Sequence, residues 1–326
     1  MSASALPLRL WAITHVDRAY PDAGTFILNL GGGELCAVVD ERGLLALVVE
    51  EADAAMAQDR AAVAIRLGGI PESQVPGLLL VRESQSGKST WRNTGPRDDA
   101  ERAVDAATAR LIVKSIRAYY AVQVLEPSVK GFLRILSLQF PRNDLYLFEL
   151  LQNAVDDGAR NVSFRYLRAS QTLRVWHDGR RFNPLDVLGL ASVGLSTKAK
   201  KKRTVGFMGV GFKACYKRYS EVTVSDGLFK FRFQRPTAGA AAGSGNDYAW
   251  VMLPDWVDGG HRAEAADDGA IKMGPECCCF DLRRCTAGIE APLRDLAYLP
   301  LTAPPLLGRT ALERSGVAPV AATLSC

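Results

Sequence analysis

The chain has 326 residues, 48% of them apolar and 23% charged, with a net charge of +5. This length accommodates about two domains with a core each; the composition is that of a folded globular protein, and so small a charge excess does not point to nucleic acid or an anionic membrane surface. No stretch reaches the roughly 18 uninterrupted apolar residues of a membrane span, and residues 1–9 lack the basic start and apolar segment of a secretory leader, so a cytoplasmic protein is expected.

Residues 8–80 read as strands separated by turns. Residues 25–30 run into Gly31-Gly32-Gly33, and apolar character resumes over 35–39, which predicts a strand pair. Residues 44–49 form another short apolar run. Residues 51–67, rich in alanine and charge, predict a helix ending at Gly68-Gly69. Residues 82–99 are polar, without an apolar period, and read as a loop. Within them Gly87-Lys88-Ser89-Thr90 resembles the end of a phosphate-binding P-loop, but that pattern needs a glycine five residues earlier, where Arg82 stands. The P-loop reading is therefore rejected. Residues 1–98 are taken as an α+β region with no chemistry attached.

Residues 99–124 predict a long helix closed by Pro127, and residues 130–139 a second one ending before Pro141. Arg142-Asn143-Asp144 supplies an N-cap for a third helix, which Gly158 ends. On that helix Glu149, Asn153 and Asp156 are spaced four and three residues apart, so they share one narrow stripe. Leu147, Leu150, Leu151 and Ala154 occupy the opposite side and give it a face to bury. Carboxylate and amide oxygens are the hard ligands that a nucleotide-bound magnesium accepts.

Residues 161–167 and 172–176 alternate as two antiparallel strands, the second running into His177-Asp178-Gly179. A carboxylate at a strand end accepts a hydrogen bond from an exocyclic amine such as that of adenine, and the glycine beside it allows a base to approach closely. Residues 184–191 predict a short helix. Residues 192–213 are rich in glycine and lysine; Ser196, Thr197 and Lys198 add hydroxyl and ammonium donors. Gly206-Phe207-Met208-Gly209-Val210-Gly211, followed by a helical pattern over 212–219, offers backbone N–H groups to phosphate oxygens. A Rossmann turn would follow a strand, whereas the basic run 198–203 leads in here. That run reads as a solvated loop or as part of a flap over triphosphate. No aromatic residues are interleaved, so nucleic acid is not the expected partner. Residues 221–225 and 228–233 predict a hairpin across Asp226-Gly227.

Residues 237–246 are a low-complexity loop, 250–253 predict one more strand, and 257–326 read as an irregular tail. Cys277, Cys278, Cys279 and Cys285 cluster there without a C-x-x-C pair, and His261 is the one histidine nearby, so no zinc set is expected. Cys36 and Cys215 sit alone in apolar surroundings and read as buried thiols.

Three segments in order, Glu-x-x-x-Asn-x-x-Asp at 149–156, a strand ending Asp178-Gly179, and Gly-x-x-Gly-x-Gly-Phe at 206–212, resemble the GHKL ATPase superfamily. That group comprises gyrase B, the ninety-kilodalton heat-shock chaperones, sensor histidine kinases and MutL. Glu149-Leu150-Leu151-Gln152-Asn153-Ala154-Val155-Asp156-Asp157-Gly158-Ala159 most resembles its sacsin-type and heat-shock-90-like branch. The resemblance implies, over 99–256 with its motifs within 144–233, a Bergerat-type α/β sandwich: a mixed, mostly antiparallel sheet backing helices, with ATP and magnesium between helices and lid. It implies Glu149 as the general base for the attacking water and Asn153 as the magnesium ligand. Asp156, Asp157, His177, Asp178 and Gly179 would line the nucleotide. Gly194, Ser196, Thr197 and Lys198 would belong to the lid, and Gly206, Gly209, Val210, Gly211, Phe212 and Lys213 to its phosphate-binding end. Thr223 would lie near the base.

The family shows Asp-x-Gly-x-Gly at the adenine strand, whereas this chain has His177-Asp178-Gly179-Arg180-Arg181. With Gly179 aligned, His177 takes the aspartate's place, so either His177 or Asp178 would face the base. A slow, chaperone-like ATPase acting on a protein partner is expected. The alternative is a nucleotide-responsive interaction module without turnover. A sensor kinase would need a phospho-accepting histidine on an upstream helix, and His15 lies in a strand-like stretch.

Overall fold

The computed structural model describes residues 26–29, 36–40, 43–50, 54–67, 70–76, 78–85, 88–93, 104–139, 145–159, 162–167, 170–192, 211–236, 248–258 and 277–283. The protein is α+β, with two sheets among these residues. Contacts group the chain into two units, Met1–Gln123 with Asn183–Leu188, and Val124–Phe182 with Gly189–Cys326.

In the first unit, β1 (Phe26–Asn29), β2 (Cys36–Asp40), β3 (Gly43–Glu50), β4 (Leu78–Gln85) and β5 (Lys88–Asn93) form one sheet in that order. The pairs are antiparallel except β3 with β4, which is parallel and therefore needs a crossover. The crossover contains α1 (Ala54–Ala57) and α2 (Arg60–Arg66). The expected single helix over 51–67 is thus broken. Asp59 restarts it as an N-cap, its carboxylate accepting the Ala62 N–H at 3.0 Å. The expected loop over 82–99 is also corrected, because its first part is the β4–β5 hairpin. Backbone pairing there does not require an apolar period, and Lys88, Ser89 and Thr90 are ladder residues rather than a phosphate loop. α3 (Ala106–Gln123) packs on β1 and buries Ala109, Ile112, Val113 and Ile116 along one stripe. Its first turn is capped by Asp105, which accepts the Thr108 N–H at 2.8 Å.

The second unit opens with α4 (Pro127–Gln139), in which Pro127 begins the helix rather than closing the preceding one; proline suits a first helical position because its missing N–H has no partner there. α5 (Leu145–Asp156) follows, then β6 (Val162–Leu167), β7 (Thr172–His177), α6 (Pro184–Ala191, of which 184–188 group with the first unit), a 3-10 helix over Gly211–Lys217, β8 (Glu221–Ser225), β9 (Lys230–Gln234), a 3-10 helix over Ala249–Met252, β10 (Asp255–Trp256) and β11 (Cys278–Arg283). The sheet order is β10-β9-β8-β11-β7-β6, and every pair is antiparallel. Among the described residues this sheet has no parallel pair; the parallel pair belongs to the other unit.

Two further expectations are corrected. Residues 250–253 were expected as a strand, but Ala249–Met252 is helical, with Trp250, Val251 and Met252 all buried. The region read as an irregular tail supplies β11, which fills the gap between β7 and β8. An inserted strand buried by neighbours on both sides carries no local signal of its pairing.

The register gives this sheet two unlike faces. Val175, Phe280, Val224 and Phe231 form one cross-strand row, all buried. The next row, Arg174, Asp281, Thr223 and Arg232, points to the other side, where Arg174 holds Asp281 in a bidentate pair at 2.5 and 3.0 Å. The 3-10 helix Gly211–Lys217 covers the apolar face. Its Phe212 ring meets Phe280 at 5.8 Å and its Tyr216 ring meets Phe233 at 5.8 Å.

Candidate functional site

α5 buries Tyr146, Leu147, Leu150 and Ala154. Glu149, Asn153, Asp156 and Asp157 are half-buried, and the first three keep the common stripe expected of them. The helix ends in a Schellman turn: Gly158, at φ +79°, donates to the Val155 carbonyl at 2.9 Å, and Ala159 donates to the Ala154 carbonyl at 2.9 Å. That turn is the contact point for the end of β7. A Cβ on Gly179 would lie 3.1 Å from the Asp157 carbonyl oxygen, 3.2 Å from the Ala159 nitrogen and 2.9 Å from His177 Nδ1. Only a glycine lets the two segments meet this closely. Arg180 completes the junction. Its N–H donates to the Asp157 carbonyl at 2.9 Å, and its guanidinium meets the Asp157 carboxylate at 3.3 Å. Asp157 therefore ties α5 to the strand end.

His177 and Asp178 diverge. His177 is 2% exposed and lies on the apolar face, its ring stacked on Phe280 at 6.1 Å. Its Nδ1 accepts the Gly179 N–H at 3.2 Å. Asp178 is exposed. Of the two residues, His177 is the one on the face that the 3-10 helix covers. Thr223 shares its row with Asp281 and Arg174, on the opposite face.

Gly211, Phe212 and Lys213 lie on the 3-10 helix that packs against α5. This element is shorter than the helix expected over 212–219, and so short a 3-10 segment sums few peptide dipoles. Lys213 is buried, 5% exposed, and its ammonium donates to the carbonyls of Leu190 and Val251, the latter at 2.6 Å. It stands 5.4 Å from the Tyr216 ring centroid and 5.0 Å from that of Phe233. Burial pushes this lysine down to about 7, opposed by the neighbouring Cys215. Lys213 thus joins the last turn of α6 and the 3-10 helix Ala249–Met252 to its own helix. Gly194, Ser196, Thr197, Lys198, Gly206, Gly209 and Val210 lie outside the described residues.

The sequence reading missed Asp226, which it took only as part of a turn. Fully buried, its carboxylate accepts N–H groups from Leu228 at 3.0 Å, Phe229 at 2.7 Å and Phe182 at 2.7 Å. The first two hold residues 228 and 229 out of the ladder, so β9 starts at Lys230 rather than 228. The third fixes the segment between β7 and α6. Burial pushes the Asp226 carboxyl above its usual range, opposed by those three donors and by the charge of Arg181. α6 then opens on a reciprocal cap, in which Asn183 Oδ1 accepts the Asp186 N–H and Asp186 Oδ2 accepts the Asn183 N–H, each at 2.9 Å.

Among the described residues no three His, Cys, Asp or Glu side chains gather as a metal cage. A magnesium ion carried by a nucleotide does not need one, because phosphate and water supply most of its ligands. The amide and carboxylate oxygens of the α5 stripe are the donor type it accepts. No helix among the described residues is long and apolar enough to cross a membrane. No protein-family model matches the chain, and no curated protein matches it.

Proposed function

We propose that this chain is a magnesium-dependent binder of a purine nucleoside triphosphate, ATP being the form the GHKL resemblance implies, and a slow triphosphatase that couples nucleotide state to a protein partner in the cytoplasm. The supporting observation is the convergence of three segments that are far apart in sequence. α5, bearing Glu149 and Asn153, packs against the helix that begins at Gly211, and its C-terminal turn touches Gly179 at the end of β7. An antiparallel sheet whose apolar face is covered by the 3-10 helix Gly211–Lys217, with α5 packed on that helix, is in keeping with a Bergerat-type domain.

On this reading Asn153 supplies an oxygen to the magnesium, which spreads the charge of the phosphates. Glu149, one turn earlier on the same stripe, orients water at the terminal phosphate and takes its proton. Half-burial of both suits the task, since partial desolvation strengthens each polar contact without sealing the carboxylate from water. Either His177 or Asp178, at the end of β7, faces the base.

The test is calorimetric titration of the full chain with Mg-ATP and Mg-GTP, beside phosphate release. Asn153→Ala should abolish magnesium-dependent binding, and Glu149→Ala should bind and fail to hydrolyse. If neither nucleotide binds the wild type, the proposal fails. Binding without phosphate release leaves a nucleotide-responsive interaction module.

A further inference from the structure

α4 presents a face that its own unit leaves open. Leu133 is buried, whereas Ser128, Gly131, Phe132, Arg134 and Ile135 are exposed. Ser128, Gly131, Phe132 and Ile135 recur at helical spacing and share one side of α4. Phe132 is 43% exposed and Ile135 52%. With Leu125, just ahead of the helix, they are the large apolar side chains that the second unit exposes among its described residues. Apolar surface gathered in one place marks a contact. Gly131 is an independent sign. A glycine inside a helix weakens it relative to alanine, yet nothing lies within 4 Å of the place its Cβ would take. Packing within the chain therefore does not call for a glycine, whereas a side chain arriving from outside would.

Size and charge make this face complementary to itself. Laid antiparallel on a second copy so that Gly131 meets the partner's Phe132, it also sets Ser128 against the partner's Ile135, and the two-fold axis repeats both contacts. Each large side chain then meets a small one. Glu126 is exposed, and its carbonyl accepts the Lys130 N–H at the start of the helix. In this arrangement it comes within about 4.5 Å, along the axis, of the partner's Arg134. A guanidinium carries five N–H donors, so Arg134 can serve that carboxylate beside a contact inside its own chain. Parallel pairing would set Arg134 against the partner's Arg134 instead. We infer that this face of α4 is the contact of an isologous, antiparallel homodimer. One helix face about 20 Å long buries less than the roughly 1,200 Å² of a stable complex, so the dimer is weak and reversible, in the micromolar range. It forms without nucleotide and stands apart from the nucleotide reading above.

Sedimentation equilibrium of the full chain from about 2 µM to about 200 µM tests this. The average mass should climb toward that of a dimer. Phe132→Glu should keep the chain monomeric throughout. Gly131→Gln should weaken association about tenfold or more. Its urea midpoint, measured where the chain is monomeric, should be no lower than wild type, because glutamine favours a helix and the space for it is open. Glu126→Arg and Arg134→Glu should each weaken association about fivefold, since each reversal spoils two pairs, and the double variant should recover it. A wild type that stays monomeric to about 200 µM overturns the inference, as does a dimer that Phe132→Glu and Gly131→Gln leave intact. A lowered midpoint in Gly131→Gln would give the glycine a place in the fold and overturn its role at the contact. No recovery in the double variant overturns the antiparallel arrangement. A monomeric chain that binds vesicles of anionic lipid, and loses that binding in Phe132→Glu, would assign the face to a membrane surface and overturn the homodimer.

Discussion

Gly179→Ala should destabilise the second unit through steric pressure alone, since no charge or hydrogen-bonding group is removed. The new methyl would sit 2.9 Å from His177 Nδ1, 3.1 Å from the Asp157 carbonyl oxygen and 3.2 Å from the Ala159 nitrogen. Two of these atoms are backbone in the Schellman turn, held by the Val155 and Ala154 carbonyls, so they cannot swing aside as a side chain would. Either the α5 terminus shifts or the strand end lifts. Lifting strains the Gly179 N–H bond to His177 and the Arg180 N–H bond to Asp157. Overpacking costs about 1–3 kcal/mol, and two weakened hydrogen bonds add about 1 kcal/mol or more. Loss of glycine's freedom in the unfolded chain offsets about 0.4–1 kcal/mol. The net is a loss of roughly 1–4 kcal/mol. In urea unfolding, followed by intrinsic tryptophan fluorescence, the midpoint should fall by about 1 M at an unchanged slope. A midpoint within about 0.2 M of wild type would refute the packing argument.

Three other outcomes follow from the same unit. Lys213 titrates at about 7 when folded and at 10.5 in its ordinary state, so between these values the folded chain holds fewer protons and stability rises with pH. Wild-type urea midpoints should therefore climb from pH 7 toward about 9, and Lys213→Met should flatten that climb. Above pH 9 the buried Cys215 thiol, pushed up by burial, acts in the opposite sense. An equal climb in the variant would remove Lys213 as its source. Asp226→Asn places an amide nitrogen against one of three N–H donors and should cost about 1–3 kcal/mol by urea unfolding; a neutral substitution would mean the turn is held by packing alone. Arg174→Met leaves Asp281, 14% exposed, without its bidentate partner, and should lower stability more at neutral pH than at pH 3, where the carboxylate is protonated. Equal losses at both pH values would show that packing, not charge, is what the arginine contributes.

Local signals were read well where the physics is local. The α5 stripe, its stop at Gly158, the β6–β7 hairpin and the start of α6 all follow from helical spacing, glycine at a left-handed cap, alternation, and Asn183-Pro184 ahead of an apolar run. These are also the parts of the candidate site that were legible: Glu149 and Asn153 on one stripe, with His177 and Gly179 at a strand end. The strand at Cys278–Arg283 was not legible, because its pairing partners lie roughly 50 and 100 residues back and the strand itself alternates only weakly. The contacts that Lys213 and Asp157 make within the fold were not legible, because charge in a glycine-rich or acidic motif is ambiguous by itself. What each one touches depends on segments folded against it.

The amino-acid order alone determined which residues can share a helix face and where helices and hairpins stop, since those depend on neighbours a few positions away. Tertiary structure alone decided which face of the sheet each strand residue occupies, because one register, set by β11 between β7 and β8, sends His177 to the apolar side and Thr223 to the other. It likewise decided that Lys213 spends its charge on two distant carbonyls. Burial in that aromatic layer removes water as an alternative partner, so the nearest backbone oxygens take its place.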